Sequence, residues 1–263
     1  MTLAIIQSQN ISLEDVKSQL KHLKSGTLVI FNDYALDPFY TELNFNAENA
    51  ILKLNALKKL AKVHNLHLLI PLILPDPQNR ALKKLALIKP KEVAFYPQQK
   101  LINYPHWDEQ SFFANIDNNV PPLIFSKNGI KFGAIFGYEV HFDSIFALLN
   151  AQNVDVVIMC SACAFNSFER WLMIAKTRAF CNSMMLIQAN CVGDFKLVNR
   201  NERFYGKSFV LKADGEILEM LDSRPSMLCF DIKKSDITNM AKEWRFRNIS
   251  KRENPKREDK GSR

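Results

Sequence analysis

Apolar residues along this chain fall into short, nearly continuous runs, and these alternate with stretches that are apolar at every third or fourth position. "LAIIQSQ" near the start, "GTLVIFNDYAL" from Gly26, "LHLLIPLIL" from Leu66, "KEVAFYP" from Lys91, "VDVVIMCSACAF" from Val154 and "MMLIQANCVG" from Met184 read as buried strands. Residues 49–64 and 168–182 hold helical spacing. Ser12, with Asp15 three residues on, opens another helix in a near capping box. Asn128-Gly129 turns "PLIFSKNGIKFGAIFGYE" into a hairpin, and Asp214-Gly215 does the same for "FYGKSFVLKADGEILEML". Strands joined partly by helices and partly by hairpins predict an α/β fold with mixed sheets and helices on the outer layers. No repeat or low-complexity linker divides the chain, so residues 1–235 form one domain and 236–263 a tail.

Composition supports a packed body, since 47% of the 263 residues are hydrophobic. The formal charge of +8 suggests an anionic partner at first. From Ala241 onward, however, nine Lys and Arg stand against four Asp and Glu. Much of the excess therefore belongs to a basic, solvated, mobile tail, and neither nucleic acid nor membrane is expected as a partner. "LHLLIPLILP" is too short to span a bilayer and is interrupted by Pro71. With no basic segment ahead of the first apolar run, no secretory leader is expected, and a cytoplasmic location follows.

The five cysteines are an odd set, which suits reduced thiols. Cys160 and Cys163 form one CxxC, half of a zinc site at most, and packing is the simpler role. Cys181, Cys191 and Cys229 read as structural. Glu139, His141 and Asp143 follow a buried strand, but their loop spacing does not favour convergence on a metal, so none is expected.

"WLMIAKTRAFCN" followed by "QANCVG", then "FYGKSF" with "DGEIL", resembles the second half of the nitrilase, or carbon–nitrogen hydrolase, superfamily, and the likeness runs over nearly the whole chain. It implies a four-layer αββα sandwich, a homodimer and a Glu-Lys-Cys set acting on amides or nitriles, with no cofactor. In such a set a thiolate attacks the carbon, a carboxylate moves the proton and a lysine stabilises the negative charge. By the resemblance, Asp33 in "LVIFNDYAL" takes the acid/base place, one methylene short of Glu. Lys100 in "VAFYPQQKLINYPHW" takes the lysine's place, and Glu109 that of an additional carboxylate. In "IFGYE", Tyr138 and Glu139 match the nucleophile's neighbours, while the cysteine's own place is Gly137, where glycine tolerates elbow dihedrals that strain other residues.

The missing thiol leaves three expectations. One is a degenerate protein that binds a small amide-like or amino-acid-like ligand without turnover, with Tyr138, Glu139, Glu109, Cys160 and Cys163 lining the pocket. Another is an active amidohydrolase using Cys160, Cys163 or an activated water. The third is a non-catalytic assembly scaffold. Loop side chains near Tyr40, Trp107 and Phe165 would set specificity. Gly137→Cys is expected to restore a reactive thiol.

Overall fold

The computed structural model describes residues 1–197 and 200–244. Along the chain run β1 (Thr2–Gln7), α1 (Leu13–Leu20), β2 (Leu28–Phe31), α2 (Ala47–His64), β3 (His67–Pro75), β4 (Ala81–Ile88) and β5 (Val93–Pro97). The short strands β6 (Asn103–Tyr104) and β7 (Trp107–Asp108) follow, then β8 (Leu123–Lys127), β9 (Ile130–Phe136), α3 (Asp143–Ala151), β10 (Val156–Ser161) and α4 (Phe168–Asn182). The chain continues through β11 (Met185–Asn190), β12 (Val192–Leu197), β13 (Arg200–Tyr205), β14 (Phe209–Leu211), β15 (Ile217–Met220), β16 (Ser226–Asp231) and α5 (Lys234–Trp244). Local chemistry sets several boundaries. Ser12 and Asp15 close a reciprocal capping box on α1. The Asn46 side chain caps α2, which ends at Asn65 in a left-handed conformation.

Two six-stranded mixed sheets result, in the orders β16-β1-β2-β3-β4-β5 and β15-β14-β11-β10-β9-β8. The central strands β1–β3 and β9–β11 are parallel, and the outer pairings are antiparallel. Alternation along each strand then sorts side chains between layers. Leu3, Ile5, Leu28, Ile30, Leu69, Leu85 and Leu87 of the first sheet meet Phe132, Phe136, Val156, Ile158 and Ile187 of the second. Their neighbours Ala4, Ile6, Val29, Phe31 and Leu68 face α1 and α2 instead. On the opposite side Ile135, Val157, Met159 and Leu186 face α3 and α4. The four-layer αββα arrangement is thus built by strands that are apolar on both faces.

Three elements depart from the sequence reading. Strand β4, "ALKKLALI", was not expected, because two adjacent lysines disguise its alternation. The helix α3, which begins at Asp143 just after the elbow, was not expected either. The ordered body also extends past residue 235: α5 places Ile237 in the layer between the sheets, with Met240 against it. The remaining positions of the proposed tail, 245–263, lie outside the described residues. Among the described residues no helix is long and apolar enough to cross a membrane.

Replacing Ile237 with alanine is expected to lower the unfolding free energy by about 2–4 kcal/mol, because it empties a buried site. A urea titration measures this, and a loss under about 0.5 kcal/mol, the range typical of surface positions, would place α5 outside the folded body.

Candidate functional site

The C-terminal ends of β2, β9 and β10 and the N-terminal end of the antiparallel β4 come together at one edge of the sandwich, where the inter-sheet layer meets charge. Strand β4 presents its odd-numbered residues to the opposing sheet, first Leu87, then Leu85, and then Lys83. Lys83 is therefore buried by register, only 2% exposed. A buried ammonium needs compensating partners. Its Nζ lies 2.6 Å from Asp33 Oδ2 and 2.7 Å from Glu109 Oε1, and it donates to the Tyr34 hydroxyl at 3.2 Å. The Tyr34 hydroxyl donates in turn to Glu109 Oε1 at 2.8 Å.

Backbone bonds hold these groups still. Asp33 N–H donates to the carbonyl of Ser161, tying the end of β2 to the end of β10. Tyr34 sits at φ 57°, a left-handed turn, and its N–H donates to Asp33 Oδ1. Glu109 Oε2 accepts from the Ile102 N–H, and Glu109 N–H donates back to the Ile102 carbonyl. Burial raises the Asp33 carboxyl to about 6, with the Lys83 charge opposing and Glu109 adding to the shift. For Lys83 burial acts downward, but the two carboxylates outweigh it and the net shift is upward. The cluster therefore carries two acids on one ammonium whose three N–H groups already have partners.

Of the residues singled out in the sequence, Asp33 and Glu109 meet on the Lys83 ammonium. Lys100 does not join them: its ammonium pairs with Asp117 outside the cavity. The lysine of the cluster comes from the neighbouring strand, and Gln98 stands on the cavity wall between Lys83 and the elbow. A lysine on the inward register of an otherwise apolar strand was the available signal for Lys83, and it was hidden by Lys84 beside it.

Gly137 opens a 3-10 turn at residues 137–141, immediately after β9. It is not among the residues with positive φ, so the elbow does not require glycine for its dihedrals. Space requires it instead. A Cβ at this position would lie 2.5 Å from Ser161 Oγ, 2.9 Å from its Cβ and 3.1 Å from its Cα. Ser161 occupies the room that a side chain here would need, so any residue larger than glycine at position 137 requires Ser161 to move.

Glu139 points away from the cavity. Fully buried, it accepts from Tyr96 Oη and Gln99 N–H at 2.8 Å and from Phe136 N–H at 3.0 Å, clamping the elbow to the segment after β5. Burial pushes its carboxyl up to about 7 against those hydrogen bonds. It is a positioning residue and not part of the lining. Asp143 is turned outward to Arg178, so Glu139, His141 and Asp143 diverge. No group of three or more metal-ligating side chains occurs among the described residues.

The thiols separate likewise. Cys160 packs in the inter-sheet layer, and burial carries its pKa well above the ordinary range. Cys163 does reach the cavity, but burial pushes it up to about 12, and its Sγ accepts from Gln188 Nε2 at 3.3 Å. Burial therefore acts against the thiolate form at both. Cys191 is buried, whereas Cys181 and Cys229 are exposed, so Cys229 is not core.

The cluster opens on a narrow inner cavity of about 30 Å³, which leads to an outer cavity of about 350 Å³. Tyr138, Trp107, Trp171, Ile102, Ala162 and Cys163 line both. Two buried polar atoms on the inner wall, Gln98 Oε1 and Trp107 Nε1, have no hydrogen-bond partner. Phe165 on the outer wall is held at φ 61°, a strained conformation for an aromatic residue.

Gly137→Ala is expected to cost about 1–3 kcal/mol of stability by overpacking against Ser161. Adding Ser161→Gly should recover part of that, and denaturant titration of both variants measures it. The elbow also makes stability pH-dependent. With Glu139 raised from 4.5 to about 7, the folded state keeps a proton that the unfolded state releases across this window. The stability present below about 4.5 is accordingly lost as pH rises through 7, and Asp33 contributes in the same direction up to about 6. Unfolding free energies between pH 4.5 and 7.5 should decline, and Glu139→Gln should flatten that slope while lowering stability at pH 5.

Known structures share this fold. A carbon–nitrogen hydrolase from Helicobacter pylori G27 superposes with a TM-score of 0.84 at 17% identity, over 97% of each chain. A mutant of a Nesterenkonia AN1 amidase of the nitrilase superfamily matches with a TM-score of 0.74 at 20% identity, over 95% of this chain and 97% of that one. A CN-hydrolase superfamily protein from Xanthomonas campestris matches with a TM-score of 0.78 at 12% identity, over 95% and 96%. No curated protein matches the chain. At these identities the likeness shows the fold. A family model for carbon-nitrogen hydrolase matches residues 27–242, most of the sequence. The chain belongs to the carbon–nitrogen hydrolase family.

Proposed function

We propose that this protein binds a small primary amide in the inner cavity and does not hydrolyse it. The observation that carries the reading is the pair of unpartnered buried atoms, Gln98 Oε1 and Trp107 Nε1, on the wall beside Asp33 and Glu109. Buried polar atoms in folded proteins are almost always satisfied, so an unpartnered acceptor and an unpartnered donor on two residues of the cavity wall suggest what completes it. A carboxamide offers both: its N–H groups suit Gln98 Oε1 and the spare carboxylate lone pairs, and its carbonyl suits the indole N–H.

Turnover lacks its first step. Acyl transfer in such a site needs a nucleophile to bond to the carbonyl carbon while the C–N bond breaks and the leaving amine takes a proton. Gly137 offers no atom for that bond, and the Cys163 thiol keeps its proton. The structurally similar Nesterenkonia amidase has an active-site cysteine to which acrylamide adds. Here Lys83 has already committed its donors to Asp33, Glu109 and Tyr34, an arrangement that holds a ligand's N–H groups against carboxylates.

Propionamide, titrated calorimetrically, is expected to bind, and Trp107→Phe to weaken that binding about three- to tenfold through the lost donor. Prolonged incubation should release no ammonia and leave the protein mass unchanged. Ammonia release abolished by Asp33→Asn would instead establish a water activated by Asp33, and an acyl adduct on Cys163 would establish thiol catalysis.

A further inference from the structure

We propose that the outer cavity selects an anionic group, so that the ligand is an amide carrying a carboxylate on a flat, apolar spacer. The inference rests on the amide reading of the inner cavity and adds a tail to it. Its centre is Arg170, in the first turn of α4 and on the outer wall. Every other arginine among the described residues pairs with a carboxylate: Arg80 with Asp76, Arg178 with Asp143, Arg200 with Glu202, Arg203 with Asp194 and Arg224 with Asp222. Arg170 alone has no such partner among the described residues, although Glu169 is its neighbour in sequence.

The two cavities differ in sign. The inner one holds Asp33 and Glu109 against Lys83 alone. The outer one has no Asp or Glu in its wall and contains Arg170, His106 and His141. Ser167, also on that wall, makes no side-chain cap on α4, so the first-turn N–H groups of the helix lie at the same end as Arg170. A guanidinium without a carboxylate, at the mouth of a cavity, is a fork for a planar oxyanion. Between the two ends the walls are rings: Trp107 and Phe165 meet edge to face with centroids 6.0 Å apart, and Trp171 meets His141 at 4.9 Å. Such walls favour a flat, apolar spacer. The electrostatic order, acceptors inside and a guanidinium outside, orients a molecule with an N–H head and an anionic tail and rejects the reverse.

A matched pair of probes tests this: 4-carbamoylbenzoate and terephthalamide, which share one ring and one amide and differ in the charge of the second group. Calorimetric titration should show the carboxylate binding about fivefold or more tightly at low salt, with the margin shrinking as ionic strength rises. Arg170→Met should equalise the two affinities, and Arg170→Lys should keep part of the margin. Equal affinities in the unaltered protein, or tighter binding of terephthalamide, would overturn the anionic tail and leave the amide reading standing. A margin that survives Arg170→Met would overturn the role of Arg170. Failure of both probes and of propionamide to bind would overturn the amide reading and this inference with it.

Discussion

The apolar layer between the two sheets is the constraint on which the rest depends. Strands such as β1, β2, β9 and β10 are apolar on both faces, so each must be covered by the opposing sheet on one side and by helices on the other. Once β4 takes its register with Leu85 and Leu87 inward, Lys83 has no choice of face. Its ammonium is carried to the edge of the dry layer, where leaving it alone would cost several kcal/mol. Asp33, Glu109 and the Tyr34 hydroxyl offset that cost. The charged cluster is in this sense a consequence of sheet packing, and it closes the layer at the end where the cavity begins.

The elbow shows a second economy of space. Glu139 gathers hydrogen bonds from Tyr96, Gln99 and Phe136 and fixes the turn against the first sheet. The end of β10 then comes so close to the turn that Ser161 fills the volume beside Gly137. A side chain at Gly137 would need Ser161 to move, so the two positions are packed as a pair.

Fold and chemistry separate here. Family membership follows from a match spanning residues 27–242, and the architecture from structures that superpose along almost the whole chain. Neither determines what happens in the cavity, because the same scaffold serves different chemistry when a few side chains at the strand ends change. The side chains that differ here make a polar inner end, an aromatic passage and a mouth that carries Arg170.

Much of the architecture was legible in the order of residues. Continuous apolar runs marked buried strands, Asn128-Gly129 and Asp214-Gly215 marked hairpins, and Ser12 with Asp15 marked a helix start, because each depends on interactions within a few residues. Asp33, Glu109 and Tyr138 could be placed through resemblance, since each follows closely on an element boundary. Lys100 could not be judged in the same way: whether an ammonium reaches Asp33 depends on which strand lies beside β3, and that is settled by pairing between distant segments. Chain order likewise could not reveal that Glu139 turns inward, that Ser161 crowds Gly137, or that α5 returns Ile237 to the core. Local chemistry determined the elements. Only tertiary packing decided which charges share a dry site, because the cost of burying a charge is met by whichever partners the fold brings within reach.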